Sequence, residues 1–280
     1  MPGWLITHAP LLRMGFFAAA LCGLAALEQL WPRRPRERRR RERWPANLGM
    51  TLLNGLLAGS IPLGPLGAAL LAEREGSGLF RLLHTPPLLA AVAGFLLLDG
   101  AIYLQHVAFH ALPLFWRLHR MHHADTELDV TTGGRFHTFE ILLSALYKMA
   151  VIAAWGIPAA SVVVFEIVLN LTSMFNHANL ALPQRLERPL RWIVVTPDMH
   201  RIHHSLHAEE TNSNFGFNLP WWDRLFGTYR AHPREGHTRM PLGLEYFRGE
   251  EGRRFFAMWL IPFRTPPADP YPLTKRAEDA

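Results

Sequence analysis

Residues 87–123 read PLLAAVAGFLLLDGAIYLQHVAFHALPLFWRLHRMHH. Up to the first histidine the stretch is apolar, and Asp99 is its only acidic or basic residue. About 20 such residues suffice for a helix that crosses a bilayer. The apolar run ends in two clusters of histidine, so this stretch predicts a membrane helix that delivers imidazoles to one membrane surface.

Working outward, three more apolar segments appear. Residues 14–31 carry one charge, Glu28, and are followed by Pro32 and an arginine run. A secretory signal peptide has its positive charge before the apolar part; here the charge comes after, as in a stop-transfer segment. Residues 46–72 have no charge, and Pro62 and Pro65 predict a kink in that span. Residues 141–176 carry only Lys148 and Glu166, and Gly156-Ile157-Pro158 divides them into a helical hairpin whose pieces cross fully or are re-entrant. The positive-inside rule puts residues 33–43 in the cytoplasm. Counting spans from there places the end near His110, and the polar C-terminal part, on the same side.

The organisation predicted is a first transmembrane segment (1–32), a cytoplasmic Arg-rich loop (33–45) and the second and third transmembrane helices (46–110). A cytoplasmic histidine-box segment (111–140), a membrane hairpin (141–180), a cytoplasmic cap (181–265) and a loose tail (266–280) follow. The fold class is all-α: a polytopic membrane helical bundle with a cytoplasmic helical cap that carries a metal site. The protein is expected in a bacterial inner membrane, with the metal site and C-terminus cytoplasmic.

Composition excludes other classes. The 280-residue chain is 49% hydrophobic and has a net charge of +6. Residues 33–43 (RRPRERRRRER) alone sum to +6, so the remainder is neutral. One local run that orients a helix and attracts anionic lipid is not a nucleic-acid face. A single cysteine, Cys22, excludes a disulfide framework and a cysteine-based zinc ribbon.

The fifteen histidines are clustered. His106 and His110 form HxxxH; His119, His122, His123 and His200, His203, His204 form two HxxHH boxes. Positions i, i+3 and i+4 share a helix face. Adjacent residues diverge by about 100°, so His122 and His123, or His203 and His204, need not serve the same ion. Eight such ligands suit two neighbouring metals. Spacing alone leaves iron, zinc, copper and nickel open, and chance or structural histidines are the bland alternative. There is no HExxH, so a zincin-type protease is not supported.

The boxes, in this order and spacing, resemble the fatty acid hydroxylase/sterol desaturase superfamily of integral-membrane non-haem di-iron oxygenases. Arg135-Phe-His137-Thr-Phe-Glu140 is similar to the segment after the family's second box, with Thr138 in place of a common proline. Phe175-Asn176-His177-Ala-Asn179 resembles the segment of the family's extra histidine. Thr196-Pro-Asp-Met-His200, Asn214-Phe-Gly216 and Trp222-Asp223-Arg-Leu-Phe-Gly-Thr228 extend the likeness, which covers about residues 95–230. Val107 departs from the arginine many members carry in the first box.

The resemblance implies metal ligation by His106, His110, His119, His122, His123, His200, His203 and His204, with His177 a ninth. An interfacial, hydrogen-bonded His177 is the alternative. Ligating imidazoles usually donate their other N–H to a partner; Glu140, Asn176, Asp198 and Asp223 are candidates. For these, helix caps or loop hydrogen bonds are the structural alternative. Asp99 and Tyr103 share a stripe with His106 and His110 and are substrate-cavity candidates; an Asp99 hydrogen-bonded between helices is the alternative. His137 is either a helper near the site or scaffold, and His207 scaffold. His8, His84, His232 and His237 are expected to be ordinary exposed residues.

The implied activity is O2-dependent hydroxylation or desaturation of a lipid C–H bond by two iron ions, with zinc possible as a substituted metal. No catalytic residue beyond the ligands is implied. Lacking GxGxxG, a flavin motif and CxxC, the chain needs an external electron donor, cytochrome b5-like or a ferredoxin/reductase. The alternative is a non-catalytic membrane protein whose histidine boxes bind structural zinc.

Overall fold

Apolar stretches of this length leave the backbone one way to satisfy its polar groups without water, the helix. The computed structural model describes residues 2–273, and among these it contains helices and turns but no strand. Among the described residues, five segments are long and apolar enough to cross a membrane: Ala9–Leu30, Arg40–Leu82, Pro87–Ala111, Thr138–Trp155 and Ala159–His177. Their main helices are α1 (Ala9–Leu30), α2 (Arg40–Gly59), α3 (Gly64–Arg74) and α4 (Pro87–Ala111). After α5 (Pro113–His123) come α6 (Thr138–Trp155) and α7 (Ala159–His177). Two short helices, α8 (Pro197–His203) and α9 (Trp221–Leu225), belong to the C-terminal part.

The second apolar stretch is not one kinked span. It breaks at residues 60–63, where Leu63 takes the left-handed φ of 69°, and α3 starts anew from Gly64. Two prolines three residues apart explain the break, since each lacks an N–H for the helix ladder. The small residues Ala68 and Ala69 of α3 then pack with Ile152 and Ile157 at the far end of the bundle.

The hairpin between α6 and α7 turns where the glycine stands. Gly156 is left-handed (φ 67°), and its N–H returns to Ile152 O at 2.8 Å. That turn marks one end of the bundle. At the other end lie the start of α6 and the C-termini of α1, α4 and α7, and there the histidines collect. Between the ends, Leu98, Ile102, Ile152, Val162 and Phe165 form an apolar core.

The arginine run is woven into the protein rather than left as a loop. Helix α2 begins at Arg40, inside the expected loop. Arg36 and Arg40 pair with fully buried Glu28 at 3.1 and 2.8 Å. Glu28 also accepts from the backbone N–H groups of Val130 (2.7 Å) and Asn179 (2.9 Å). Buried Arg43 reaches Asp125 (2.6 Å) and Asp129 (2.7 Å). A buried charge needs such partners. These bonds stitch the loop at 125–135 to α2. In that loop Gly133 presses on α7: a Cβ there would meet Ser173 O at 2.5 Å.

The expected loose tail is also corrected over its described part. Asp269 accepts from Trp116 Nε1 (3.0 Å), Arg120 Nη1 (3.2 Å) and the Tyr246 hydroxyl (2.7 Å). Tyr271 is buried and stacks on Trp116 at 5.6 Å. One carboxylate serving three donors, two of them buried, with an aromatic ring beside it, is enough to fix this strap. Residues 274–280 lie outside the described residues.

Candidate metal centre

All nine candidate histidines meet at one end of the bundle, and all are buried. They divide into two groups whose ligand nitrogens lie within 4.8 Å of one another. The first is His106, His110, His119, His123 and His203; the second is His122, His177, His200 and His204. Helix geometry dictates the partition. The i and i+4 histidines of α5, His119 and His123, enter the first group, and His122 turns to the second. The third box does the reverse: His200 and His204 enter the second group and His203 the first. Each histidine doublet is therefore split, as the divergence of adjacent side chains requires. His123 stacks on His204 at 4.5 Å, so the groups share a wall.

The outer nitrogens set the inner ones. His106 Nδ1 lies 2.7 Å from Phe215 O, His119 Nδ1 2.7 Å from Glu140 Oε1, and His203 Nδ1 2.8 Å from Ser213 O. His110 Nδ1 faces Asn212 Oδ1 at 3.2 Å, His122 Nδ1 faces Arg135 O at 3.2 Å, and His177 Nδ1 faces Ser173 O at 2.6 Å. An oxygen acceptor at Nδ1 holds the proton there and leaves the Nε2 lone pair pointing inward.

These inward nitrogens fit a metal. His106 and His119 Nε2 are 3.1 Å apart, and His122 and His177 Nε2 are 3.0 Å apart. Lone pairs at that distance repel each other unless a cation is shared. Metal–imidazole bonds of about 2.1 Å at right angles put neighbouring nitrogens about 3.0 Å apart. Nε2 of His110, His123 and His203 is buried without any hydrogen-bond partner, as a ligand atom would be and a structural histidine would not. Burial, then neighbouring imidazoles, hold His122, His123, His200, His203 and His204 well below the ordinary imidazole pKa. They are neutral at physiological pH and their lone pairs are free to ligate.

The walls are aromatic. Phe136 stacks on His122 at 4.4 Å, while Phe215 and Phe217 stand 5.5 and 5.0 Å from His106. Such walls exclude water.

The supporting candidates separate. Glu140 bonds a candidate ligand directly. Asp223 acts one step removed: it accepts from Phe215 N (2.7 Å) and Gly216 N (2.8 Å) and so fixes the carbonyl facing His106. Asn176 donates to Phe217 O at 3.2 Å and bonds no candidate ligand. Asp198 does not support an imidazole of either group; it pairs with Arg33 at 3.0 Å and with Arg201. Nor does it cap α8, because Thr196 supplies that cap. His137 caps α6 by accepting from Phe139 N and also bonds Trp259 O, so it is scaffold. His207 pairs with Glu235. His84 and His232 are exposed, whereas His8 and His237 are half-buried, His237 against Asp198.

Asp99 and Tyr103 are engaged in bonds between elements. Asp99 accepts from Trp222 Nε1 (2.8 Å) and Leu219 N (3.3 Å), and the Tyr103 hydroxyl meets Thr228 Oγ1 at 2.9 Å. Both tie α4 to the chain around α9. An apolar groove of about 410 Å³ does exist between α4 and α7, lined by residues such as Val92, Phe95, Ala160 and Val164. It lies in the half of the bundle away from the histidines. Sequence reasoning missed Asn212, Ser213 and Phe215 as orienting groups. Two of these act through backbone carbonyls, which no side-chain pattern reveals.

Fold and site together define an integral-membrane helical bundle with paired histidine clusters suited to metal. Residues 91–228, which contain all nine histidines, match the family model described as fatty acid hydroxylase, and it is this segment that belongs to the family. The chain is 29% identical over 178 residues to an ornithine lipid hydroxylase from Rhizobium tropici, covering 64% of this chain and 51% of that protein. It is 33% identical over 135 residues to an alkylglycerol monooxygenase from Xenopus tropicalis, covering 48% of this chain and 29% of that one. A very-long-chain aldehyde decarbonylase from Oryza sativa shares 23% over 187 residues, covering 63% of this chain and 28% of that protein. The matches therefore span about half or less of each relative. No solved structure matches the chain at a significant level.

Proposed function

We propose that this protein is a membrane-bound, O2-dependent di-iron oxidoreductase that hydroxylates or desaturates a lipid C–H bond. The observation that carries this reading is the pair of adjoining clusters, built from histidine alone and with Nε2 atoms turned inward. Their place within a family segment shared with a lipid hydroxylase and a lipid monooxygenase supports a lipid substrate, and supports hydroxylation as the outcome. His106, His110, His119, His123 and His203 would hold one iron; His122, His177, His200 and His204 would hold the other. Iron bound there would supply O2 activation and removal of hydrogen from an unactivated C–H bond.

The rest is the work of the chain. Glu140 raises the basicity of His119 and fixes its ring. Asp223 holds the 215–216 backbone so that Phe215 O orients His106. Phe136, Phe215 and Phe217 keep water from the imidazoles. Electrons come from a separate cytochrome b5-like protein or ferredoxin/reductase that docks at the histidine end. The arginine run favours the cytoplasmic side of a bacterial inner membrane for that end.

The test is a lipid profile, by mass, of membranes with and without the protein, and with His122→Ala as control. Gain of one oxygen identifies hydroxylation, and loss of two hydrogens identifies desaturation. An unchanged profile with tightly bound zinc would favour the structural-zinc reading. Reporters fused after residues 45 and 240 should lie on the same, cytoplasmic side.

A further inference from the structure

The C-terminal part of the chain carries a contiguous apolar surface that the metal site does not use. Trp192, Ile193, Trp221, Leu225 and Phe226 are 62, 63, 48, 69 and 55% exposed. They form one patch. Trp221 Nε1 donates to Trp192 O at 2.7 Å, Leu225 stands one helical turn after Trp221, and Arg224 lies over the Trp192 ring at 3.8 Å. Scattered exposed apolar residues are normal, but a contiguous aromatic patch of this kind marks a binding surface.

The depth of the patch identifies its partner. Trp222 bonds Asp99, which lies twelve residues from either end of α4, about 18 Å by helical rise. A Cβ on Gly100 would meet the Trp222 ring at 3.1 Å, so this ring lies flat on the middle of α4. Phe226 stacks on Tyr103 of the same helix at 5.4 Å. The segment 219–226 therefore lies beside an apolar membrane helix, not beyond its end. Leu104, one helical turn after Gly100 on α4, is 53% exposed. Exposed Arg185 and Arg188 lie on the preceding short helix, Gln184–Leu190. Tryptophan with flanking arginine is the composition of a membrane interface, where indole sits at headgroup level and guanidinium reaches back to phosphate.

We propose that Trp192, Ile193, Trp221, Leu225 and Phe226 insert into the near leaflet of the bilayer, so that this part of the chain is membrane-embedded and not a purely cytoplasmic cap. Its inner edge is Tyr103, whose ring meets Phe215 at 6.4 Å, and Phe215 meets His106 and His203. The leaflet is thus separated from the first histidine group by a short file of aromatic rings.

The test uses single cysteines in a Cys22→Ser background, labelled with an environment-sensitive fluorophore in protein reconstituted into phosphatidylcholine vesicles. Ile193→Cys and Leu225→Cys are the test sites; both residues are exposed, as is Cys22, so the replacements disturb no packing. Leu88→Cys on α4 is the lipid control, and Arg239→Cys the aqueous control. Spin-labelled lipid should quench the test sites as it quenches residue 88, severalfold more than residue 239, and iodide should quench them severalfold less. Quenching by iodide at the level of residue 239 overturns the proposal. Protection from both quenchers with a doubled particle mass also overturns it, because a second copy of the chain would then cover the patch. Neither readout depends on the reaction proposed above.

Discussion

The two histidine groups are built from the same residue type yet held differently. In the first group, four of the five rings have an oxygen acceptor at Nδ1. Three of those acceptors, Asn212, Ser213 and Phe215, come from one short segment. In the second group, His122 and His177 are anchored by Arg135 O and Ser173 O, whereas Nδ1 of His200 and of His204 is buried without a partner. The first group is preorganised by the C-terminal part of the chain. The second depends on the 125–135 loop and α7, and half its rings lack an acceptor at Nδ1. An ion in the first group should therefore be bound more tightly and exchange more slowly.

The largest expected effect comes from removing one ligand on each side of the shared wall. His123→Ala and His204→Ala should each abolish lipid turnover while the protein stays in the membrane. Full turnover by both would break the pairing of the groups. Next is Arg43→Met, which removes the one arginine that pairs with both Asp125 and Asp129. Breaking a buried ion pair from one side costs about 3–5 kcal/mol. The variant should lower the thermal midpoint and, because the 125–135 loop carries Arg135, release metal from the second group first.

Glu140→Gln should act on the other group alone. Loss of such a partner lowers metal affinity about 10- to 100-fold, and competition with a chelator should locate that loss in the ion bound by His119. Asn212→Leu should be milder, since His110 loses only a neutral amide acceptor at 3.2 Å and the other bond lost, from Asn212 Nδ2 to Tyr271 O, serves the strap and no ligand. A smaller loss than that of Glu140→Gln, again confined to the first group, is the outcome to measure.

Acid should weaken the site with a definite sign. The folded-state pKa values of His122, His123, His200, His203 and His204 lie well below the ordinary value. Below about pH 6.5 the unfolded chain takes up protons that the folded clusters refuse. Stability is therefore fully present above that value and falls as the pH drops. A thermal midpoint, measured from pH 8 down to pH 5, should decline only in the lower part of that range.

How much was legible in the sequence follows from what kind of contact each feature makes. The bundle and the eight boxed histidines were readable because length, polarity and the 3.6-residue period are local properties, whereas His177 came only with the family resemblance. Glu140 stood out as a carboxylate close after the second box. The strap at Asp269 and Tyr271 was not readable. It lies in a proline-rich polar stretch without periodicity, and its partners Trp116 and Asn212 are 153 and 59 residues away. The arginine run misled for the same reason. Its sequence advertises membrane topology, while the acids that claim it, Glu28, Asp125, Asp129 and Asp198, are scattered along the chain. Asp198 looked like a helper of the adjacent His200, yet Arg33 and Arg201 compete for it more strongly than a neutral imidazole can.

Nine histidines in two adjoining groups are expected to form two metal sites of nitrogen donors. Elemental analysis of the purified, iron-loaded protein against amino-acid analysis, with the metal's X-ray absorption, tests this most directly. Two ions per chain, in a shell dominated by imidazole nitrogen, are expected. One ion per chain, or a shell in which imidazole is a minority, would contradict this.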